Sequence, residues 1–153
     1  MPIGTFAGVF DGNGHTISNL YINSASGGLG LFSAIGSTGT VKNLGLLNVS
    51  VTCTDSSKSN IGAFVGSLGG YAMNCYSTGA VSSSGDQVGG ISGRNDDGTI
   101  TGCSSSVNVS GRSSVGGISG KCGLNYAVPL VQDCYSTGNV TGTGTGTGQN
   151  ERI

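Results

Sequence analysis

The chain has 153 residues, 31 of them glycine, with 8% charged residues and a formal net charge of −1. That length holds one domain or one run of repeats. The balance leaves no basic patch, so nucleic acid is excluded as a partner on electrostatic grounds. No apolar run reaches the roughly 20 residues that cross a bilayer as a helix, so no membrane insertion is expected. Helix is a poor fit throughout, because Gly in a helix interior costs about 0.8–1 kcal/mol relative to Ala.

The first strand-like stretch is Phe6-Ala7-Gly8-Val9-Phe10, followed by the turn residues Asp11-Gly12-Asn13-Gly14. His15 to Ile22 then alternates, with Ile17, Leu20 and Ile22 as its apolar set. The second unit opens at Leu29-Gly30-Leu31-Phe32-Ser33 and continues through Val41, Leu44 and Leu46 to Val49 and Val51. The polar run from Thr54 to Asn60 reads as a loop leaving the unit. Three further units start alike: Ile61-Gly62-Ala63-Phe64-Val65-Gly66, Val88-Gly89-Gly90-Ile91-Ser92-Gly93 and Val115-Gly116-Gly117-Ile118-Ser119-Gly120. The last two copies are identical. Asn74-Cys75-Tyr76-Ser77-Thr78-Gly79 recurs as Asp133-Cys134-Tyr135-Ser136-Thr137-Gly138, with Cys103-Ser104-Ser105 between them.

Self-similarity at this period marks a stacked array, in which each unit buries its apolar face only against its neighbours. β-branched residues and glycines leave room for about three short strands per unit and no helix. The expected fold is all-β, a right-handed parallel β-helix of about five coils at 6–28, 29–60, 61–87, 88–114 and 115–143. The Thr-Gly run within 144–153 reads as a flexible tail. The insertion Cys122 to Leu130 in the fifth unit is expected as a surface loop, the usual place for binding in such arrays.

Five cysteines are an odd number. Cys75, Cys103 and Cys134 take one repeat position, matched to Leu20 and Leu44 in the first two units, and so read as a buried thiol stack. The spacing of metal-binding cysteine pairs is absent, and no metal site is expected. Cys53 and Cys122 fall outside the pattern.

The repeated blocks resemble the GLUG-motif repeats of large bacterial surface and secreted proteins. The matching residues are Gly90-Ile91-Ser92-Gly93, Gly117-Ile118-Ser119-Gly120, the Asn-Cys-Tyr-Ser-Thr-Gly block and Phe10-Asp11-Gly12-Asn13-Gly14-His15-Thr16-Ile17. The resemblance implies a β-helix, an extracellular bacterial setting and a stalk-like or adhesive role. It offers no catalytic residues.

Three functional readings follow. The first is a structural or adhesive segment acting as spacer or interaction surface. It would associate with itself, or with neighbouring repeats, through the apolar first coil from Phe6 to Ile22. The second is a glycan-binding module: Tyr21, Tyr76 and Tyr135 are assigned one outward position, where rigid aromatic rings stack on sugars. The third is a hydrolase. Asp11 and the single histidine, His15, form its only polar candidate site, and they flank a tight turn. No strand carries the carboxylate pair of a glycosidase. No cofactor is expected. Calcium is the one ion weighed, and the Asp residues do not recur at one position as a calcium-binding repeat requires.

Overall fold

The structure, a computed structural model, describes residues 1–123 and 128–144. The Thr-Gly run beyond Gly144 and the centre of the fifth-unit insertion lie outside these residues.

Among the described residues twenty short strands wind through five coils. The first coil holds β1 (Ile3–Phe6), β2 (Val9–Asp11), β3 (Thr16–Ser18) and β4 (Tyr21–Ser24). The second holds β5 (Phe32–Ile35), β6 (Thr40–Lys42) and β7 (Gly45–Cys53). The third holds β8 (Ser59–Gly62), β9 (Val65–Leu68), β10 (Tyr71–Met73) and β11 (Tyr76–Ser83). The fourth holds β12 (Asp86–Gly89), β13 (Ser92–Asn95), β14 (Thr99–Thr101) and β15 (Ser104–Gly111). The fifth holds β16 (Val115–Gly116), β17 (Ser119–Cys122), β18 (Leu130–Gln132), β19 (Tyr135–Ser136) and β20 (Val140–Gly142).

Every strand pairs in parallel with its counterpart one coil away. Sheet A runs β1-β5-β9-β13-β17 and sheet B runs β2-β6-β10-β14-β18. Sheet C is built on β7, β11 and β15, flanked by β3 and β4 at one end and by β19 and β20 at the other. A smaller sheet D holds β8, β12 and β16, and a bridge from Leu29 to Ile61 extends it. The architecture is the expected parallel β-solenoid.

Side chains alternate along each strand, so one row per sheet points inward and stacks about 4.8 Å from rung to rung. Val41, Ala72 and Ile100 fill the sheet B row, and Ile22, Val51, Val81 and Val109 fill a sheet C row. The sheet A row changes along the rod, from Phe32 and Val65 to Ser92 and Ser119, all buried. The buried serines stay satisfied because Ser92 Oγ donates to the Arg94 carbonyl at 2.8 Å and Ser119 Oγ to that of Lys121 at 3.0 Å.

Three local expectations need correction. Phe6 to Phe10 is not one strand: the chain turns at Ala7-Gly8, sending β1 into sheet A and β2 into sheet B. The 54–60 loop is shorter than expected, since Ser59 and Asn60 already belong to β8. The third correction concerns register. Asn19 adopts φ 62° and breaks the alternation between β3 and β4. It is held by the bulged Asn48 opposite, whose Nδ2 donates to Asn19 Oδ1 at 2.7 Å. Leu20 therefore lies beside Val49, and His15 occupies the rung next to Leu44.

The thiol stack is Leu44, Cys75, Cys103 and Cys134, without Leu20. Cys75 and Cys103 are buried, whereas Cys134, on the final coil, is only partly covered. Each thiol donates to the carbonyl two residues before it: Met73 at 3.2 Å, Thr101 at 3.4 Å and Gln132 at 3.1 Å. The Cys75 sulfur alongside, together with burial, pushes the Cys103 thiol up, and burial does the same to Cys134.

The glycines that open each repeat sit where sheet A crosses sheet D. A Cβ at Gly89 would collide with the Ser92 carbonyl oxygen and approach Gly120 N to 2.8 Å. None of Gly62, Gly89 or Gly116 needs a positive φ, so close backbone approach alone demands glycine there. Gly89→Val should therefore cost about 3 kcal/mol or more, read as a lowered denaturant midpoint; an unchanged midpoint refutes the packing. In the native protein a thiol reagent should label Cys134 well before Cys75 and Cys103, and equal rates for the three would contradict the stack. Between coils, Arg112 grips Asp86 through Nε and Nη2 at 2.8 and 2.7 Å, holding that carboxyl below its usual range of about 3.8. A depressed folded value stabilises above the unfolded pKa and is lost as pH falls through the folded one. Asp86→Asn should remove about 0.5 kcal/mol at neutral pH and almost nothing near pH 2, as measured by urea unfolding at both pH values.

Candidate functional site

The outer wall of sheet C carries the aromatic candidates, and the register divides them. Tyr76 lies beside Ser104, which lies beside Tyr135, so these two tyrosines share one row with a serine between them. Tyr21 does not belong to it. Beyond the Asn19 break, Tyr21 pairs with Ser50, in the row that continues through Ala80 and Asn108. The single shared position assigned to Tyr21, Tyr76 and Tyr135 is thus corrected to a pair, Tyr76 and Tyr135. The left-handed Asn19 and the bulge at Asn48 break the alternation and shift partners along the strand, which moves Tyr21 off that row.

Tyr76 is 40% exposed and Tyr135 64%. The Tyr76 ring lies across Gly45, where any Cβ would strike the ring itself. Gly45 thus lets the ring lie flat on the sheet with its other face outward. Tyr71 and Leu130, also exposed, stand in a separate row on sheet B with Thr40 and Thr99.

The Asp11 and His15 pair does not form a catalytic unit. Asp11 Oδ1 accepts from Asn13 N at 2.9 Å and from Asn43 Nδ2 at 3.0 Å, and Lys42 Nζ stands 3.7 Å from Oδ2. The Asn43 and Asn13 hydrogen bonds hold its carboxyl below the usual range. His15 Nδ1 meets the Gly12 carbonyl at 2.9 Å. A carbonyl only accepts, so Nδ1 carries the proton there. The imidazole and the carboxylate are each engaged in the local turn.

Asp55 likewise accepts from Ser57 N and Oγ, which keep it below its usual range, and Asp96 pairs with Arg94. Asp11 and Asp55, held below the usual carboxylate range, are the opposite of what a general acid needs. Among the described residues no three His, Cys, Asp or Glu side chains converge as metal ligands.

The sequence did not reveal two ladders of left-handed residues that set the corners. Asn43, Asn74, Gly102 and Asp133, at φ 50–62°, turn the chain from sheet B to sheet C. Gly28, Asn60, Gln87 and Ser114, at φ 52–70°, come directly before the sheet D residues Leu29, Ile61, Val88 and Val115. Asn and Gly tolerate this region best, and their recurrence one residue before the Cys row was the available signal. Neighbouring rungs link: Asn74 Nδ2 donates to Asn43 Oδ1 at 3.4 Å.

A cleft opens at the amino-terminal end. It has a volume of about 630 Å³ and lies between Met1, Pro2 and Gly4 on one side, Tyr21 to Ser24 on another and Gly27 to Leu29 with Ser33 at its back.

Comparison with known proteins fits this architecture. The chain is 42% identical over 102 residues, 65% of its length, to halomucin from Haloquadratum walsbyi (strain DSM 16790 / HBSQ001). The match covers 1% of halomucin, which is therefore a far longer chain. That relative is archaeal, so the bacterial setting implied by the resemblance gains no support from it. No solved structure matches. The GLUG motif is matched at residues 84–110, the stretch that contains β12, β13 and the VGGISG arch between them, and that coil of the solenoid is a GLUG repeat.

Proposed function

We propose that this chain is a rod-like segment of a secreted or cell-surface protein, serving as spacer and interaction surface. The observation that carries the reading is the likeness to a 1% slice of a very long protein, on a fold that extends by repeating one coil. A solenoid lengthens by equal steps and needs no new core, which suits a stalk. Among the described residues no helix is long and apolar enough to cross a membrane. An antibody against the chain should label intact cells of the source organism, and surface proteolysis should remove the signal. Labelling that requires permeabilised cells would defeat the reading.

A second reading rests on the Tyr76 and Tyr135 row. Two coils separate the rings, about 9.6 Å at the usual strand spacing, and both are exposed on the outer wall of sheet C. That spacing suits alternate rings of an extended polysaccharide. On a glycan array, binding should fall about tenfold in Tyr135→Ala, whose fold is untouched because the ring is exposed. An array without signal, or binding indifferent to that substitution, removes the glycan role.

A further inference from the structure

Three asparagines are followed two residues later by a hydroxyl: Asn48-Val49-Ser50, Asn108-Val109-Ser110 and Asn139-Val140-Thr141. Asn-X-Ser/Thr, with X other than proline, is the acceptor pattern for N-linked glycans on exported chains. Here the pattern falls each time on sheet C. Val49 and Val109 are buried, so the asparagine and the hydroxyl on either side of each face the outer wall. Asn48, Asn108 and Asn139 are all exposed. The outer face of a rung stays open whatever coil stacks above or below it.

The hydrogen bonds separate one asparagine from the other two. Asn48 sits in the left-handed bulge at φ 53°, and its Nδ2 donates to Asn19 Oδ1 at 2.7 Å. That nitrogen is part of the fold. Asn108 is held the other way round: its Oδ1 accepts from Asn139 N at 3.1 Å. Among the described residues neither Asn108 Nδ2 nor Asn139 Nδ2 donates to a partner. A glycosylated asparagine keeps its carbonyl and is substituted only at Nδ2, so the bond from Asn139 N survives modification of Asn108.

The wall also leaves room for the product. Asn108 lies beside Ala80 in the coil before it, and Ser106 and Ser110 flank it on the same face. These neighbours are small and uncharged. The row of Tyr76, Ser104 and Tyr135 passes four residues away along β15, about 13 Å, and stays accessible.

We propose that Asn108 and Asn139 are N-glycan acceptors and that Asn48 is not. The donor is an oligosaccharide carried on a lipid phosphate or diphosphate. Asparagine Nδ2 attacks C1 of the first sugar, the bond from C1 to the phosphate oxygen breaks, the lipid-bound phosphate leaves, and one amide proton is released. In the finished fold β15 is paired with β11 on one side and with β19 and β20 on the other. Transfer therefore precedes closure of the sheet, and the fold accommodates its product. The proposal rests on the reading of the chain as secreted or cell-surface, because export brings it to the membrane that carries such a donor.

Mass spectrometry of the chain produced in its source organism tests it. Trypsin, cutting after Lys42, Lys58, Arg94, Arg112, Lys121 and Arg152, puts the three asparagines on separate peptides, 43–58, 95–112 and 122–152. Peptides 95–112 and 122–152 should carry a sugar mass and 43–58 should not. Ser110→Ala should abolish the mass on 95–112, and Ser110→Thr should keep it. These readouts do not depend on how well a variant folds. A bare 95–112 or 122–152 overturns the assignment of its asparagine, and a sugar on 43–58 overturns selection by the free amide. A mass on 95–112 that persists in Asn108→Gln sits on another residue and overturns Asn108. Bare peptides from chain recovered at the cell surface overturn the modification and leave the surface reading standing, whereas bare chain found only inside cells overturns both.

Discussion

The structure depends on two backbones approaching closer than any side chain permits. Where sheet A crosses sheet D, Gly62 and Gly66, then Gly89 and Gly93, then Gly116 and Gly120 leave no room for a Cβ. The chain runs along sheet D, reverses within two residues and returns along sheet A. The residue at the reversal, Phe64, Ile91 or Ile118, is driven into the core. One short motif therefore performs two tasks: glycines bring the layers together, and the apolar residue between them anchors the arch. Gly90 belongs to the same constraint, since its carbonyl is buried and accepts from Ser77 Oγ at 2.8 Å.

That constraint propagates into the composition of the core. In the third coil the arch carries Ala63-Phe64 and is followed by Val65, and the facing sheet C position in the coil before is Leu46. In the fourth and fifth coils the arch carries Gly-Ile followed by a buried serine, and the sheet C row turns to Ser77 and Ser105. Large and small residues exchange together because the interior is filled to a fixed density. Asn95 replaces Leu68 in the same half of the rod and accepts from Gly98 N at 2.9 Å, so it caps a turn from inside the core. The first coils rely more on apolar burial, including the Phe6 and Phe10 contacts with Phe32, and the later ones on buried polar rows in which Ser92 Oγ, Ser119 Oγ and Asn95 Oδ1 are hydrogen-bonded.

The repeat, the solenoid and the buried Cys75 and Cys103 were legible because each is written in side-chain identity. Features written in the backbone were not. Nothing in the alternation of Ile17, Leu20 and Ile22 announces that Asn19 turns left-handed, yet that one dihedral moves Tyr21 off the row of Tyr76 and Tyr135. A recurrent glycine is compatible with either a positive φ or a close approach; the second holds at Gly89 and the first at Gly28 and Gly102. The polar candidate at Asp11 and His15 was adjacent in sequence and in space, but its hydrogen bonds run to Asn43, Asn13 and Gly12. Proximity along the chain does not orient two side chains toward each other.

A rod of this kind places its chemistry differently from a globular enzyme. Among the described residues its interior is a continuous ladder of packed rows, and Asp11, Asp55 and Asp86 are held below the usual carboxylate range by Asn43, Ser57 and Arg112. What varies is the outer wall, where each rung contributes one side chain per row. That wall presents side chains at equal steps, because equal rungs impose equal spacing, so its contacts with an extended ligand repeat along the rod.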